Sequence, residues 1–325
     1  KIIWFVIIIS IDILQRSGIM TTPIIIDTDP GIDDIIAISA ALNSPELDVR
    51  LITSIGGNVG IEHTTRNAID IVDYFKKEVP VAKGVNKPLL NALSTAEYVH
   101  GHNGIGNYEF NTSQRSNILE DNAVIAMRNV IMQSDEPITL VPIGPLTNIS
   151  LLFSLFPETI ENVEKIVLMG GAAVGGNATP VAEFNIFADP HAAHIVFNQD
   201  LPIVMCGLDV TRETMINQDD VERLAQLGDF GKMITTMLDV YNDSNSGGAN
   251  QHIIHDLSTI FYLLYPEIYE TKKANISVIT EGQAEGCTYT EFNEDGLVDV
   301  CIHADNEKFR SYFVDFVEDI YKEFG

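Results

Sequence analysis

Four carboxylates lie close together near the beginning of the chain, at Asp27, Asp29, Asp33 and Asp34. Like charges in one short turn repel one another strongly unless a cation neutralises them. Carboxylate oxygens are hard ligands of the kind that Ca²⁺ and Mg²⁺ prefer. This spacing therefore predicts a metal-centred active site.

The residues on either side indicate how these carboxylates are positioned. The apolar run Ile24–Ile26 before them is typical of a buried strand, and the periodic apolar residues from Ile35 to Leu42 after them predict a helix. In an open α/β sheet, ligands bind at the carboxyl ends of the strands. The aspartates are therefore expected at that edge of a sheet.

The same pattern of a short β-branched run followed by a helical stretch recurs along the chain. Strands are predicted at 24–26, 49–55, 138–143, 165–169 and 203–206, with helices at 35–42, 61–75, from 145 to about 153, 189–198 and 255–265. Repeated strand–loop–helix units imply a mostly parallel sheet covered by helices on both faces. We expect one α/β domain with a Rossmann-like open sheet.

Composition narrows the possible partners and the redox state. The chain has 325 residues and a formal net charge of −27, which argues against nucleic acid or an anionic membrane as the main partner. Its three cysteines, Cys206, Cys287 and Cys301, are widely spaced and form neither a disulfide framework nor a zinc cluster. Reduced thiols in a cytoplasmic protein are expected.

The first residues differ in character from the rest. Ile2–Ile9 is an apolar run, but it is much shorter than the roughly 20 residues that span a bilayer. Met20 comes directly before the first strand pattern. We therefore expect residues 1–19 to be an upstream segment outside the fold and residues 20–325 to form the domain. A degenerate export signal is the alternative interpretation. Residues 242–248 predict a mobile loop.

Polar residues follow several of the other predicted strands or lie in glycine-rich loops. They are Asn58, His100, Asn177, Glu183, Asn185, His255 and Asp256. Taken singly, each has a simple structural interpretation as a turn residue, a solvated loop residue or a helix cap. Their occurrence together with the four-aspartate turn favours a shared functional site.

In their order along the chain, these motifs resemble those of the inosine–uridine-preferring nucleoside hydrolases. The matching segments are Asp-Thr-Asp-Pro-Gly-Ile-Asp-Asp at 27–34, Gly-Asn at 57–58, Ile-Gly-Pro-Leu-Thr-Asn at 143–148, Met-Gly-Gly at 169–171, Gly-Asn-Ala-Thr-Pro-Val-Ala-Glu-Phe-Asn at 176–185 and His-Asp at 255–256. Within that family, the chain is most similar to bacterial ribonucleoside hydrolases that accept purine and pyrimidine nucleosides. The resemblance covers residues 23–325.

This resemblance implies a Ca²⁺ ion and a set of ligands for it. The ion would be held by Asp29, Asp34, Asp256 and the main-chain carbonyl of Ile143. Asp27 would support the metal-binding loop through hydrogen bonds. Hard oxygen ligands agree with what the aspartate spacing indicates independently.

The resemblance also implies the residues that bind the nucleoside. Asp33 and Asn185 would bind the ribose hydroxyls, with Asn58 nearby. Asn177 and Glu183 would hold the 5′-hydroxyl, and Met169 would lie against the sugar. The segment 241–251 offers mainly Asn, Ser and Gly, so no base-binding residue is assigned from it.

The implied reaction is hydrolysis of an N-glycosidic bond through an oxocarbenium-like transition state, as in glycoside hydrolysis generally. Asp29 is the predicted general base. His255 and His100 are the predicted groups that protonate the leaving base, since histidine delivers protons near neutral pH. By analogy, the resemblance also implies a role in purine and pyrimidine salvage and a homo-oligomer.

Two other functions fit parts of the pattern. Asp27-x-Asp29 after a strand also occurs in haloacid-dehalogenase-like phosphatases, in which the first aspartate is the nucleophile and Mg²⁺ assists. Pro30 and the pair Asp33-Asp34 fit that pattern poorly. A nucleoside-binding protein without turnover is the third possibility, although Asp29, Asn185 and His255 are all retained.

Overall fold

The computed structural model describes residues 21–111, 118–241 and 251–324. The predictions for residues 1–19 and for the loop 242–248 lie outside this part of the chain. Within it, no helix is long and apolar enough to cross a membrane.

Eleven strands form two sheets in the described residues. They are β1 (Thr22–Thr28), β2 (Leu47–Ser54), β3 (Val81–Lys83), β4 (Ile138–Pro142), β5 (Val163–Met169), β6 (Ile203–Cys206), β7 (Met215–Asn217), β8 (Gln251–Ile253), β9 (Tyr269–Val278), β10 (Thr288–Phe292) and β11 (Val298–Ala304). The main sheet has nine strands in the order β10-β9-β11-β6-β5-β4-β1-β2-β3, and β7 pairs with β8 in a separate small sheet.

The main sheet is mostly parallel, as the sequence predicts. Neighbouring strands are parallel in the part of the sheet that runs in the order β3-β2-β1-β4-β5-β6-β11. Only the pairs that β9 makes with β10 and β11 are antiparallel. From β1 the chain proceeds to β2 and β3 on one side, and it then returns to β4 on the other side. The order therefore reverses between β1 and β4, which is where open α/β sheets bind ligands.

Twelve α-helices connect and flank the strands in the described residues. They are α1 (Ile32–Asn43), α2 (Ile61–Tyr74), α3 (Glu97–His100), α4 (Ala123–Gln133), α5 (Thr147–Leu155), α6 (Phe184–Ala188), α7 (Pro190–Phe197), α8 (Leu208–Thr211), α9 (Gln218–Leu224), α10 (Gly228–Leu238), α11 (Leu257–Leu264) and α12 (Asn306–Phe324). Most predicted elements lie within two residues of these bounds. Helix α1 begins three residues earlier than predicted, at Ile32.

Two apolar layers cover the two faces of the sheet. Ile24 and Ile26 of β1 face the layer that contains α1, α2, α10, α11 and α12, whereas Ile25 between them faces the layer that contains α4, α5 and α7. All three isoleucines are at most 1% exposed. Strands buried on both faces read as continuous apolar runs, which explains the Ile-Ile-Ile pattern before the aspartates. The prediction of one α/β fold with a mostly parallel sheet is confirmed.

Candidate active site

The four-aspartate segment lies where the strand order reverses. Asp27 is the next-to-last residue of β1, and Asp29 directly follows that strand. Asp33 and Asp34 lie in the first turn of α1. The amide of Ile143, just after β4, donates to the carbonyl of Asp27 at 2.8 Å. The ends of β1 and β4 are therefore joined at this edge of the sheet. A helix N-terminus also favours nearby negative charge, which suits Asp33 and Asp34.

Asp29 is held in a narrow space between two glycines. The side chain is fully buried, and its Oδ2 accepts a hydrogen bond of 2.6 Å from the Asn58 amide. A Cβ atom added at Gly57 would lie 2.0 Å from Asp29 Oδ2, and one added at Gly144 would lie 2.4 Å from Oδ1. Only residues without a side chain allow the aspartate to take this position. Within the described part of the chain, Asp29 Oδ1 is buried and makes no hydrogen bond.

Asp34 is anchored by the segment that comes before it. Its Oδ1 accepts from the Thr28 hydroxyl at 2.5 Å, and its Oδ2 accepts from the Gly31 amide at 2.8 Å. Oδ2 also accepts from the side-chain amide of Asn58 at 3.1 Å. Oxygen atoms of Asp34 and Asp256, which lies just before α11, are within 4.8 Å of each other. Residues distant in sequence are thereby brought to one point.

Burial and mutual repulsion make these carboxylates hard to ionise. Burial, and then the nearby charge of Asp34, raise the pKa of Asp29 well above its ordinary value. Burial raises the pKa of Asp34, and burial followed by the charges of Asp33, Asp34 and Asp29 raises that of Asp256 well above its ordinary value. A cation among them would remove this penalty, because an opposite charge favours the ionised form.

The donor set fits a hard cation. Oxygen atoms of Asp33, Asp34 and Asp256 all lie within 4.8 Å of one another. Asp29 is not part of that trio, although its unpaired Oδ1 is buried beside the same residues. The carbonyl of Ile143, the fourth predicted ligand, accepts from the Asn185 side chain at 3.0 Å. A carbonyl oxygen has two lone pairs, so this bond leaves it able to bind a cation as well.

Asp27 connects three elements beneath the site. Its Oδ1 accepts from the Thr53 hydroxyl at 2.5 Å and from the Asn148 side chain at 2.8 Å, which lie at the end of β2 and in α5. Burial raises the pKa of Asp27 to about 7. These contacts are of the kind that the predicted supporting role requires.

A cavity with an empty volume of about 630 Å³ opens beside these carboxylates. It is lined by all six residues predicted to bind the nucleoside, by Ile143 and Asp256, and by both predicted catalytic histidines: Asp33, Asn58, Met169, Asn177, Glu183, Asn185, Ile143, Asp256, His100 and His255. Among the described residues, Asp27, Asp29 and Asp34 do not line this cavity, and each of them is at most 1% exposed.

Glu183, Asn177 and Asn185 form one hydrogen-bonded wall of the cavity. The Glu183 carboxylate accepts from the amides of Asn185, Gly171 and Ile186 at 3.0, 2.9 and 3.2 Å. Asn177 Oδ1 accepts from the Phe184 amide at 2.8 Å. Burial raises the pKa of Glu183. The Asn185 side chain also donates to the carbonyl of Met169 at 3.1 Å.

The two histidines are almost buried and have different neighbours. His255 Nδ1 lies 2.7 Å from the Thr211 hydroxyl. His100 Nδ1 accepts from the Ile32 amide at 3.2 Å, and its ring centroid lies 5.4 Å from that of Tyr241. Helix α11 begins at Leu257 with Asp256 at its N-cap position, so it starts within two residues of the predicted start at about His255. The Asp256 side chain makes no capping hydrogen bond to that helix; it lies beside the carboxyl groups of Asp33 and Asp34.

Sequence reasoning missed some residues of the cavity. Tyr241 and Tyr98 line it, and the Thr211 hydroxyl contacts Nδ1 of His255. Thr211 follows β6 by a few residues, so the rule that site residues follow parallel strands could have found it. Tyr241 is the first residue of the segment from which no base-binding residue was assigned.

Comparison with known proteins identifies the family. The model of the inosine-uridine preferring nucleoside hydrolases matches residues 24–311. The chain belongs to this family. Like its other members, this nucleoside hydrolase is an enzyme that acts on N-glycosyl bonds, which confirms the resemblance and the enzyme class inferred from the motifs.

Individual relatives agree with this assignment. The nucleoside hydrolase is 47% identical over 261 residues to the non-specific ribonucleoside hydrolase RihC of Salmonella typhimurium, covering 80% of this chain and 84% of that protein. The structure of a purine-preferring ribonucleoside hydrolase from Gardnerella vaginalis matches with a TM-score of 0.85 and 31% identity, covering 93% of this chain and 100% of that one. A plant nucleoside hydrolase, PpNRh1, matches with a TM-score of 0.84 and 30% identity, covering 91% and 99% of the two chains.

Proposed function

We propose that this nucleoside hydrolase cleaves the N-glycosidic bond of both purine and pyrimidine ribonucleosides with water, giving ribose and the free base. The observation that carries this proposal is the cavity beside four buried carboxylates, with one histidine at the end of α3 and another just before α11. Similarity to the non-specific RihC enzymes supports the broad base range.

Asp29, Asp34, Asp256 and the Ile143 carbonyl would hold a Ca²⁺ ion in this site. Buried carboxylates with raised pKa values and an unpaired Asp29 oxygen support a cation here, and the all-oxygen donor set favours Ca²⁺ over softer metals. When bound, Ca²⁺ would supply an anchor for vicinal hydroxyls and lower the pKa of a nearby water.

Asp33, Asn185 and Asn58 would bind the ribose hydroxyls, because their side chains line the cavity next to the predicted cation ligands. Asn177 and Glu183, which form one wall of the cavity with Asn185, would receive the 5′-hydroxyl, and Met169 would contact the sugar. The carboxylates would also stabilise the positive charge that develops on ribose when the bond to the base breaks. Asp29 would accept the proton of the attacking water.

The leaving base needs a proton, and two histidines line the cavity on different elements. His255 is our choice for purine nucleosides, because its ring is fixed by Thr211. His100, on α3, is our choice for pyrimidine nucleosides. The Tyr241 ring beside His100 offers an aromatic surface for a base.

Product analysis tests the proposal. The protein, with Ca²⁺, should release reducing sugar and free base from inosine, adenosine, uridine and cytidine. A phosphomonoester should give no phosphate. Ribose from purine nucleosides alone would overturn the broad base range, and release from none of them would overturn hydrolysis.

A specific observation disfavours the phosphatase alternative. Asp27, which would be the nucleophile there, is 1% exposed and is not among the described residues that line the cavity, although its buried Oδ2 makes no hydrogen bond among those residues. A binding protein without turnover is distinguished by calorimetry: heat of nucleoside binding with no product after hours would favour it.

A further inference from the structure

The geometry points to Thr211 as the residue that orients the His255 ring for proton transfer to the leaving base. This inference rests on the proposed function, because it adds a positioning residue to the same reaction. Thr211 Oγ1 lies 2.7 Å from His255 Nδ1. Because Nδ1 is in this hydrogen bond, Nε2 is the ring nitrogen that would donate a proton to the leaving nucleobase.

The main chain around Thr211 is held on both sides. Its amide donates to the Gly207 carbonyl at 3.0 Å, and its own carbonyl accepts from the Thr214 hydroxyl at 2.8 Å. The residue is fully buried at the end of α8. A β-branched side chain on a fixed main chain has few rotamers, so the hydroxyl that meets His255 has little freedom to move.

The neighbouring residues of Thr211 hold the segment that leads to Asn177 in the cavity wall. The Asp209 carboxylate accepts from the amides of Ala173 and Val174 at 2.6 and 3.0 Å. The Arg212 guanidinium donates to the carbonyl of Gly176 at 2.8 Å, directly before Asn177. Residues 209–212 therefore contact both the His255 ring and the segment that leads to Asn177. They fix the position of one relative to the other.

The proton transfer that this arrangement serves is balanced within the site. His255 acts from its imidazolium form: the electron pair of the C1′–N bond passes to the base, the proton on Nε2 passes to the same base, and the neutral ring that remains keeps the proton on Nδ1, which Thr211 Oγ1 accepts. Water adds to C1′, and Asp29 takes its proton. If the His255 ring were turned away from the leaving base, only the proton transfer to that base would be slower. Positioning errors of about 1 Å can cost roughly 10²-fold in rate.

Two variants and two substrates separate orientation from general support of the fold. Thr211→Val removes the hydroxyl at nearly constant volume, and Thr211→Ser keeps it. Thr159→Val is the matched control, because Thr159 is also fully buried with a hydroxyl bonded at 2.8 Å to the Phe156 carbonyl, and it does not line the cavity. Inosine requires protonation of its base, whereas 4-nitrophenyl β-D-ribofuranoside has a leaving group that departs as an anion.

Thr211→Val is expected to lower kcat for inosine about 10-fold to 100-fold, part of the roughly 10² to 10⁴ that general acid catalysis contributes. The kcat of Thr211→Val for the nitrophenyl riboside should stay within about 3-fold of that of the unmodified enzyme, because this leaving group needs no proton. The kcat values of Thr159→Val for both substrates should stay within the same range of about 3-fold. Thr211→Ser should recover most of the kcat for inosine. Equal losses on both substrates, an unchanged inosine rate or no recovery in Thr211→Ser would overturn the orienting role. If the unmodified enzyme hydrolyses neither substrate, the proposed function itself fails.

Discussion

Asp29 and Asn58 join the ends of two neighbouring parallel strands, with 2.6 Å between Asp29 Oδ2 and the Asn58 amide nitrogen. The other carboxylate oxygen, Oδ1, is buried and makes no hydrogen bond within the described residues. One oxygen therefore fixes the side chain, and the other remains available for a cation or for the proton of a water.

Replacing Asp29 tests both roles at once. Asp29→Ala is expected to abolish turnover of inosine and uridine and to weaken Ca²⁺ binding, because it removes the proposed base and one ligand. Steady-state rates and calorimetric titration with Ca²⁺ measure the two effects. Asp48→Ala, at an exposed ion pair with Arg50, is the control and should change neither. Near-normal turnover by Asp29→Ala would show that the base lies elsewhere.

The space around Asp29 can be tested without touching the carboxylate. A methyl group at Gly57 would meet Asp29 Oδ2 at 2.0 Å, so Gly57→Ala must displace the aspartate. We expect at least about a 10-fold loss of kcat/KM, given that displacements of about 1 Å can cost roughly 10²-fold.

Gly60→Ala is the matched control for this glycine. Gly60 has no atom within 4 Å of an added Cβ, and its φ of −64° suits any residue. Its kcat/KM should equal that of the unmodified enzyme. Equal rates for the two variants would mean that the close approach of Gly57 to Asp29 does not matter for catalysis.

The two histidines should differ in which substrates they affect. His255→Ala is expected to slow inosine hydrolysis by about 10² to 10⁴, the usual contribution of general acid catalysis. His100→Ala should slow uridine more than inosine. The ratio of the two kcat/KM values in each variant is the measurement. The same ratio in both variants would contradict separate roles.

Asp27 should make stability depend on pH. Burial raises its pKa from 3.8 to about 7, so between these values the folded protein keeps a proton that the unfolded chain has released. The folded state then binds more protons, and the free energy of unfolding falls as pH rises. Asp27→Asn has no proton to lose at this position, so its free energy of unfolding should fall less steeply with pH than that of the unmodified protein. The two slopes should differ by up to about 1.4 kcal/mol per pH unit.

Urea unfolding in the presence of a chelator, between about pH 4.5 and pH 7, measures this difference. Asp48→Asn serves as the exposed control and should keep the slope of the unmodified protein. Parallel slopes for Asp27→Asn and the unmodified protein would show that Asp27 is ionised in the folded state throughout this range.

The parallel sheet and the place of the site could be predicted from the sequence, because both depend on local patterns. Apolar runs such as Ile24–Ile26 are buried on both faces, and the polar residues that follow such runs are brought to one edge. The helices that were not predicted are α3, α4, α6, α8, α9, α10 and α12. Strands β2 and β5 each begin two residues before the predicted start. Leu47, for example, joins β2 because it pairs with Thr22 of β1.

Contacts between distant residues could not be predicted in this way. The sequence offers no signal that Thr211 meets His255, that Tyr241 meets His100 or that the Asp256 side chain lies beside Asp34 without capping α11. Each contact joins residues that follow different strands, and their distances are set by how the loops between them pack. The roles assigned to the site residues stay predictions until variants are measured.

Removing the divalent cation tests the proposed chemistry most directly. The protein is dialysed against a chelator, freed of it, and assayed for ribose release from inosine and uridine before and after addition of CaCl₂. We expect turnover of both nucleosides to be lost after chelation and restored by Ca²⁺. Undiminished hydrolysis by the fully chelated protein would contradict a cation-centred site.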